Sequence, residues 1–144
     1  MATNPTRSAP PRKTNRGEEI EQARVIKWSH KVAVREVMPD LRWLHHSPNG
    51  GKRDALAGAQ MKALGVKPGW PDLILPVSNQ AFTPGLVIEM KSATGSTSKE
   101  QKEWLAHFEA QGWRVEVARS AQEARTILCS YLGIDQALAP ALEP

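Results

Sequence analysis

Apolar residues recur at helical spacing between Glu18 and Val37, where Ile20, Ala23, Val25, Ile26, Trp28, Val32 and Val34 supply one buried side. The pattern predicts a single helix there, stopped by Pro39-Asp40. Leu41–His46 predicts a short strand, and Ser47-Pro48-Asn49-Gly50-Gly51 a turn. A second helix is expected over 53–64, with Gly65 as a suitable residue just past its end. The compact apolar runs at 71–77 and 86–91 predict two strands. Ser98-Lys99-Glu100-Gln101 and Ser120-Ala121-Gln122-Glu123 both carry the capping-box pattern, opening helices that run to about Gln111 and Leu132. Between them Trp113, Val115 and Val117 alternate with Arg114, Glu116 and Ala118, so 113–118 is expected as a strand.

The predicted order is α-β-α-β-β-α-β-α, an α/β fold. Strands 71–77 and 86–91 should pair antiparallel, and the strand–helix–strand unit 86–118 should make a right-handed parallel crossover. The outcome is a mixed four-stranded sheet flanked by helices. Residues 18–133 make one domain, preceded by an arm (1–17) and followed by a loose Ala- and Pro-rich tail (134–144). The net charge of +4 resides wholly in the arm, which holds Arg7, Arg12, Lys13 and Arg16 and no acid. The remaining 15 cations and 15 acids balance, so bulk charge does not argue for nucleic acid. The arm reads equally as a phosphate-tracking segment or a solvated leader. One cysteine, Cys129, leaves no intrachain disulfide and fits a reducing cytoplasm, bacterial or phage-infected. No apolar run has the length of a membrane span, and no signal-peptide core opens the chain.

Candidate chemistry sits on the central strand. Val87, Glu89 and Lys91 point to one face while Leu86, Ile88 and Met90 point to the other. Two charges spaced two apart in an otherwise apolar strand need a partner or a metal, because isolated buried charges are costly. Hairpin pairing brings Asp72 toward Glu89. These two carboxylates, with the backbone carbonyl of Met90, offer an all-oxygen site for Mg²⁺ or Mn²⁺. Lys91 beside it suits the orientation or deprotonation of an attacking water. The opposing readings are an edge-strand charge stripe for Glu89 and Lys91 and a turn cap for Asp72.

Pro71-Asp72 followed after 16 residues by Glu89-Met90-Lys91 resembles the PD-(D/E)xK nuclease superfamily. More specific are Pro48-Asn49-Gly50-Gly51, Gly65-Val66-Lys67-Pro68-Gly69-Trp70-Pro71-Asp72, Ile88-Glu89-Met90-Lys91 and Ser98-Lys99-Glu100-Gln101. That series looks like the VRR-NUC (virus-type replication-repair nuclease) family, across about residues 18–132. The resemblance implies a restriction-endonuclease-like core and metal-dependent phosphodiester hydrolysis. For small members it implies a homodimer acting on branched DNA such as Holliday junctions. It also implies a metal-assisting glutamate on the first helix, four residues before a glutamine. Glu18 and Gln22 have that spacing, but Glu19 and Glu21 leave the choice open, and Glu21 stands where small members carry an apolar residue. Gln101 matches a family glutamine near the site, although its capping-box role alone accounts for it.

The function expected is therefore a structure-selective, sequence-tolerant DNA endonuclease. Asn49, Gly50, Gly51, Lys52 and Arg53 form either a phosphate-contacting loop or a plain turn. Lys62, Lys67, Lys99 and Lys102 flank the proposed site. His30, His45, His46 and His107 lack a shared metal geometry and read as structural or surface residues, and the five tryptophans read as core. The competing class is a DNA- or partner-binding module with the site unused. A metal-free acid hydrolase using Asp72 and Glu89 is weaker, because it leaves Lys91 without a role.

Overall fold

The apolar run around Ile88 becomes the strand on which everything else is laid. The computed structural model describes residues 16–47, 55–82 and 84–144. Its elements are α1 (Arg16–Ser29), α2 (Val32–Val37), β1 (His45–His46), α3 (Ala55–Ala63), β2 (Leu73–Leu75), β3 (Leu86–Met90), α4 (Lys99–Ala110), β4 (Arg114–Ala118) and α5 (Ala121–Leu132). The strands lie in the order β1-β2-β3-β4. β1 and β2 pair antiparallel, as do β2 and β3, whereas β3 and β4 run parallel with α4 between them. The sheet is the mixed four-stranded one that the patterning predicts. The proposed loop 49–53 and most of the arm lie outside the described residues.

β3 is buried along its whole length because both faces are covered. Leu86, Ile88 and Met90 join Val25, Trp28, Leu128 and Cys129 in the larger core beneath α1 and α5. Val87 faces the other way, into a smaller cluster with Leu105 and Phe108 of α4. Two-sided burial explains why this strand reads as a near-continuous apolar run, and why a charge within it stands out.

Five local expectations are corrected. The first helix is not continuous: Ser29 Oγ donates to Ile26 O, Arg35 Nε donates to Ser29 O, and Lys31 is extended, so α1 ends and α2 begins afresh. Residues 39–43 form a 3-10 turn rather than a strand, with Pro39 at its start and amides of Leu41 and Leu44 bonding three residues back. Leu41 is buried and Trp43 is 53% exposed, so that tryptophan is not core. α1 starts at Arg16, within the segment expected as arm.

The fifth correction concerns 134–144. Trp28 Nε1 donates to Pro140 O at 2.7 Å, and the buried Arg125 guanidinium donates to the carbonyls of Gln136, Ala139 and Pro140. Ala139 is buried, and Leu142 packs on the larger core. Periodicity could not show this, because the segment is held by backbone carbonyls. Deleting residues 135–144 should leave a buried cation without its acceptors and cost roughly 3 kcal/mol. Urea unfolding of the truncated protein is expected to show a clearly lower midpoint, whereas an unchanged midpoint would mean that the segment is a passive tail.

Candidate active site

The site grows from the end of the β2–β3 hairpin. Register pairs Leu73 with Ile88, so continuing the ladder by one step sets Asp72 across from Glu89. Asp72 enters that step with its side chain: Met90 N donates to Asp72 Oδ2 at 2.8 Å. Its backbone is held from the other side, where His46 Nδ1 donates to Asp72 O at 2.8 Å. The two-residue β1 thus adds a short edge to the sheet and fixes the aspartate.

Glu89 points to the α4 side and is 1% exposed. Its Oε1 accepts from Gln101 Nε2 at 2.9 Å and lies 3.9 Å from Lys91 Nζ. Its Oε2 is buried and has no hydrogen-bond donor. Burial first, and the charge of Asp72 second, push the Glu89 carboxyl from 4.5 up to about 9, against the pull of the Lys91 ammonium. While both carboxylates are ionised neither can donate to the other; a proton shared with Asp72 would satisfy Oε2.

Gln101 serves twice. It is the third helical residue of α4, where its amide N–H donates to Ser98 Oγ and its side-chain Oε1 accepts from Ser98 N. That reciprocal cap orients the same side chain so that its Nε2 reaches Glu89. The capping and site readings, alternatives in the sequence, are one arrangement.

Among the three glutamates of α1, Glu18 turns toward the site. Its Oε1 accepts from Ser92 N at 3.0 Å, and its charge adds a smaller push to the Glu89 carboxyl. Glu21 instead pairs with Arg24 and accepts from Ala121 N, while Glu19 is exposed. The turn after β3 is closed by Arg119, whose Nη1 donates to Ser92 O at 2.9 Å and Gly95 O at 2.7 Å. At Gly95 a Cβ would lie 2.8 Å from Ser92 Oγ and 3.3 Å from Glu18 Oε1, so a larger residue there would push on both side chains.

Sequence reasoning missed His46 and Arg119 as site supports. Both were recoverable from register, since His46 pairs with Leu73 beside Asp72 and Arg119 follows Ala118, the partner of Met90. His45, His30 and His107 are exposed. Lys62, Lys67, Lys99 and Lys102 are exposed as well. Cys129 is buried, and its burial raises the thiol pKa, which opposes a catalytic thiolate. Among the described residues no three His, Cys, Asp or Glu side chains converge as a ligand set, so Glu18 flanks the Asp72–Glu89 pair without completing a triad. A donorless buried carboxylate oxygen beside a second carboxylate nevertheless fits a hard divalent cation. Mg²⁺ in particular accepts one or two carboxylates and keeps several waters.

The model of the VRR-NUC domain family matches residues 15–122. The chain belongs to the VRR-NUC family. A solved structure described as a VRR_NUC domain protein is similar at 28% identity, with a TM-score of 0.64, covering 82% of this chain and 89% of that one. Comparison with curated proteins gives no match. The VRR-NUC domain is a nuclease-type domain, and its mixed sheet is consistent with a PD-(D/E)xK core. No helix among the described residues is long and apolar enough to cross a membrane.

The VRR-NUC fold carries an electrostatic cost at Glu89. Without bound cations, the folded chain holds a proton on Glu89 that the unfolded chain releases between pH 4.5 and about 9. Stability should therefore fall as pH rises through that window. Glu89→Gln, whose amide can donate toward Asp72, should melt several degrees higher than the parent in EDTA at pH 8, with the gap closing toward pH 5. Thermal denaturation across that range tests this; a Gln variant less stable at pH 8 would show that the carboxylate is not strained.

Proposed function

We propose that this VRR-NUC protein is a metal-dependent endonuclease that hydrolyses phosphodiester bonds in branched DNA. The observation carrying the reading is the buried Glu89 Oε2, left without a donor beside Asp72. Apolar packing alone gives no reason to keep an acid there, whereas a nuclease needs anionic oxygens where a cation must meet a phosphate. Asp72 and Glu89 would hold Mg²⁺ or Mn²⁺, with Glu18 and the Met90 carbonyl as further oxygen donors. The bound ion would supply positive charge against the phosphate and make the attacking water more acidic.

The chain's own residues do the positioning. Gln101 keeps Glu89 Oε1 occupied, which fixes the rotation of the carboxylate and leaves Oε2 free. Lys91 Nζ, 9% exposed at the side chain and 3.9 Å from Glu89, orients the water and offsets charge building on the phosphate oxygens. Met90 N holds Asp72 Oδ2, so the second carboxylate cannot rotate away. The exposed Lys62, Lys67, Lys99 and Lys102, with Asn49, Gly50, Gly51, Lys52 and Arg53, belong to the same reading as phosphate contacts. Such contacts position a duplex without reading bases, which supports sequence-tolerant cutting. Cleaving both strands of a four-way junction requires two sites, and a C₂ homodimer provides them.

Asp72→Ala, Glu89→Gln and Lys91→Ala should each lower cleavage of a labelled junction by about 10²–10³-fold in Mg²⁺ or Mn²⁺ while binding in EDTA persists. A fully active Glu89→Gln protein would remove the assignment. Mn²⁺ should raise the melting temperature of the parent but not of Glu89→Gln. In a panel of junction, flap, splayed-arm and linear duplex DNAs, branched substrates should be cut preferentially and binding should weaken steeply with salt. Binding without nicking under any metal would instead identify a DNA-binding module, and a strictly monomeric particle in sedimentation with DNA would remove paired cutting.

A further inference from the structure

A pocket of about 360 Å³ is lined by Ser47, Met61, Gly65, Val66, Lys67, Trp70 and Trp104. Its volume falls within the range of small-molecule sites, roughly 300–1,000 Å³. The wall is aromatic and aliphatic with one hydroxyl and one ammonium, and no carboxylate. Apart from Lys67 at its rim, the hydrolytic arrangement gives its lining no role.

The pocket is built rather than a chance gap. Trp70 and Trp104 meet edge to face, with centroids 4.9 Å apart and planes at 71°, so they form a corner rather than a flat patch. Trp104 Nε1 donates to Pro68 O at 3.0 Å, and Trp70 sets its edge against Phe108 at 5.2 Å. Gly69, at φ +87°, lies so close to the first turn of α4 that a Cβ would approach Glu100 C within 2.5 Å. The segment from Gly65 to Trp70 is thereby pinned to α4.

Every segment that builds the corner also carries the site. Trp70 precedes Pro71-Asp72, Ser47 follows His46, which holds Asp72 O, and Trp104 is one helical turn beyond Gln101. Asp72 and Glu89 are thus held by residues that adjoin the corner in the chain, which makes it an aromatic surface built onto the site's own supports. Neutral aromatic walls with a cation at the rim suit a base with its phosphate attached, since any base stacks on an indole.

We propose that the pocket takes one unpaired nucleobase of the strand being cut, with the base against Trp70 and Trp104 and Lys67 on an adjoining phosphate. The inference rests on the nuclease reading and gives it a source of structure selectivity. A paired base is held in its stack and costs free energy to extract, whereas a base at a branch or in a single-stranded arm is already available.

The test is binding of the full-length protein in EDTA to splayed-arm DNA in which a single abasic site is moved along the unpaired arm. One position is expected to lose about tenfold in affinity, and 2-aminopurine at that position should be quenched on binding. Val66→Trp, placed on a 44% exposed residue, should fill the pocket, bind intact and abasic DNA alike and melt as the parent does. Ser47→Phe, at another lining residue, fills it should the first variant fail to fold. Uniform tolerance of abasic sites, or retained abasic sensitivity in both filled variants, would overturn the proposal. Cleavage of the same DNAs with Mn²⁺ is scored separately. Cutting without abasic sensitivity removes the pocket and spares the nuclease, whereas abasic-sensitive binding without cutting under any metal upholds base capture and removes the nuclease.

Discussion

A carboxylate held inside an apolar strand, against a second carboxylate, is the constraint that organises this protein. Water would normally solvate Glu89; here β3 is covered on both faces and Glu89 is 1% exposed. The free energy needed to keep it there must come from packing elsewhere. The larger core under α1 and α5, the clustered aromatics under α4 and the carbonyl clamp around Arg125 are the apolar and polar contacts available for it. The buried acid is in this sense a cost that the rest of the structure offsets.

Around that centre, local devices act at a distance from their own elements. A capping box is ordinarily a matter for one helix, worth about a kilocalorie per mole. In α4 it also aims Gln101 at Glu89, so helix start and site geometry are the same set of bonds. β1 contributes two residues to the sheet and one histidine to the Asp72 carbonyl. Arg119 extends no secondary structure and closes the turn that gives Glu18 its amide partner. Gln101 and His46 hold Glu89 and Asp72 directly, and Arg119 acts through the Ser92 turn, so each acidic group is fixed by a residue on a neighbouring element.

The sequence was legible where periodicity and capping chemistry agree. β3, α4, β4 and α5 were placed within a residue or two, because alternation, Ser-x-x-Gln, Ser-x-x-Glu and following glycines point the same way. Asp72 and Glu89 were brought face to face by hairpin register alone. It was illegible where partners are distant in sequence or are backbone atoms. The α1–α2 break depends on Arg35 reaching back to Ser29 O, and Leu41-Arg-Trp-Leu mimics a strand while Pro39 winds it into a 3-10 turn. The 134–144 segment has polar holds that no side-chain pattern encodes. Spacing could not choose among Glu18, Glu19 and Glu21; a bond to Ser92, 74 residues away, distinguishes Glu18.

The position of α1 in the chain sets the order in which the site can be completed. Glu18 is made early, yet the helix that carries it docks on α5 and is latched by the Pro140 carbonyl through Trp28. During vectorial synthesis, at roughly 5–20 residues per second, the hairpin holding Asp72 and Glu89 can form while α1 still lacks the surface it rests on. The turn at Ser92 likewise waits for Arg119. The acidic centre therefore assembles from the hairpin outward, and a nascent chain stalled before about residue 120 would display the two carboxylates without the frame that makes them a site.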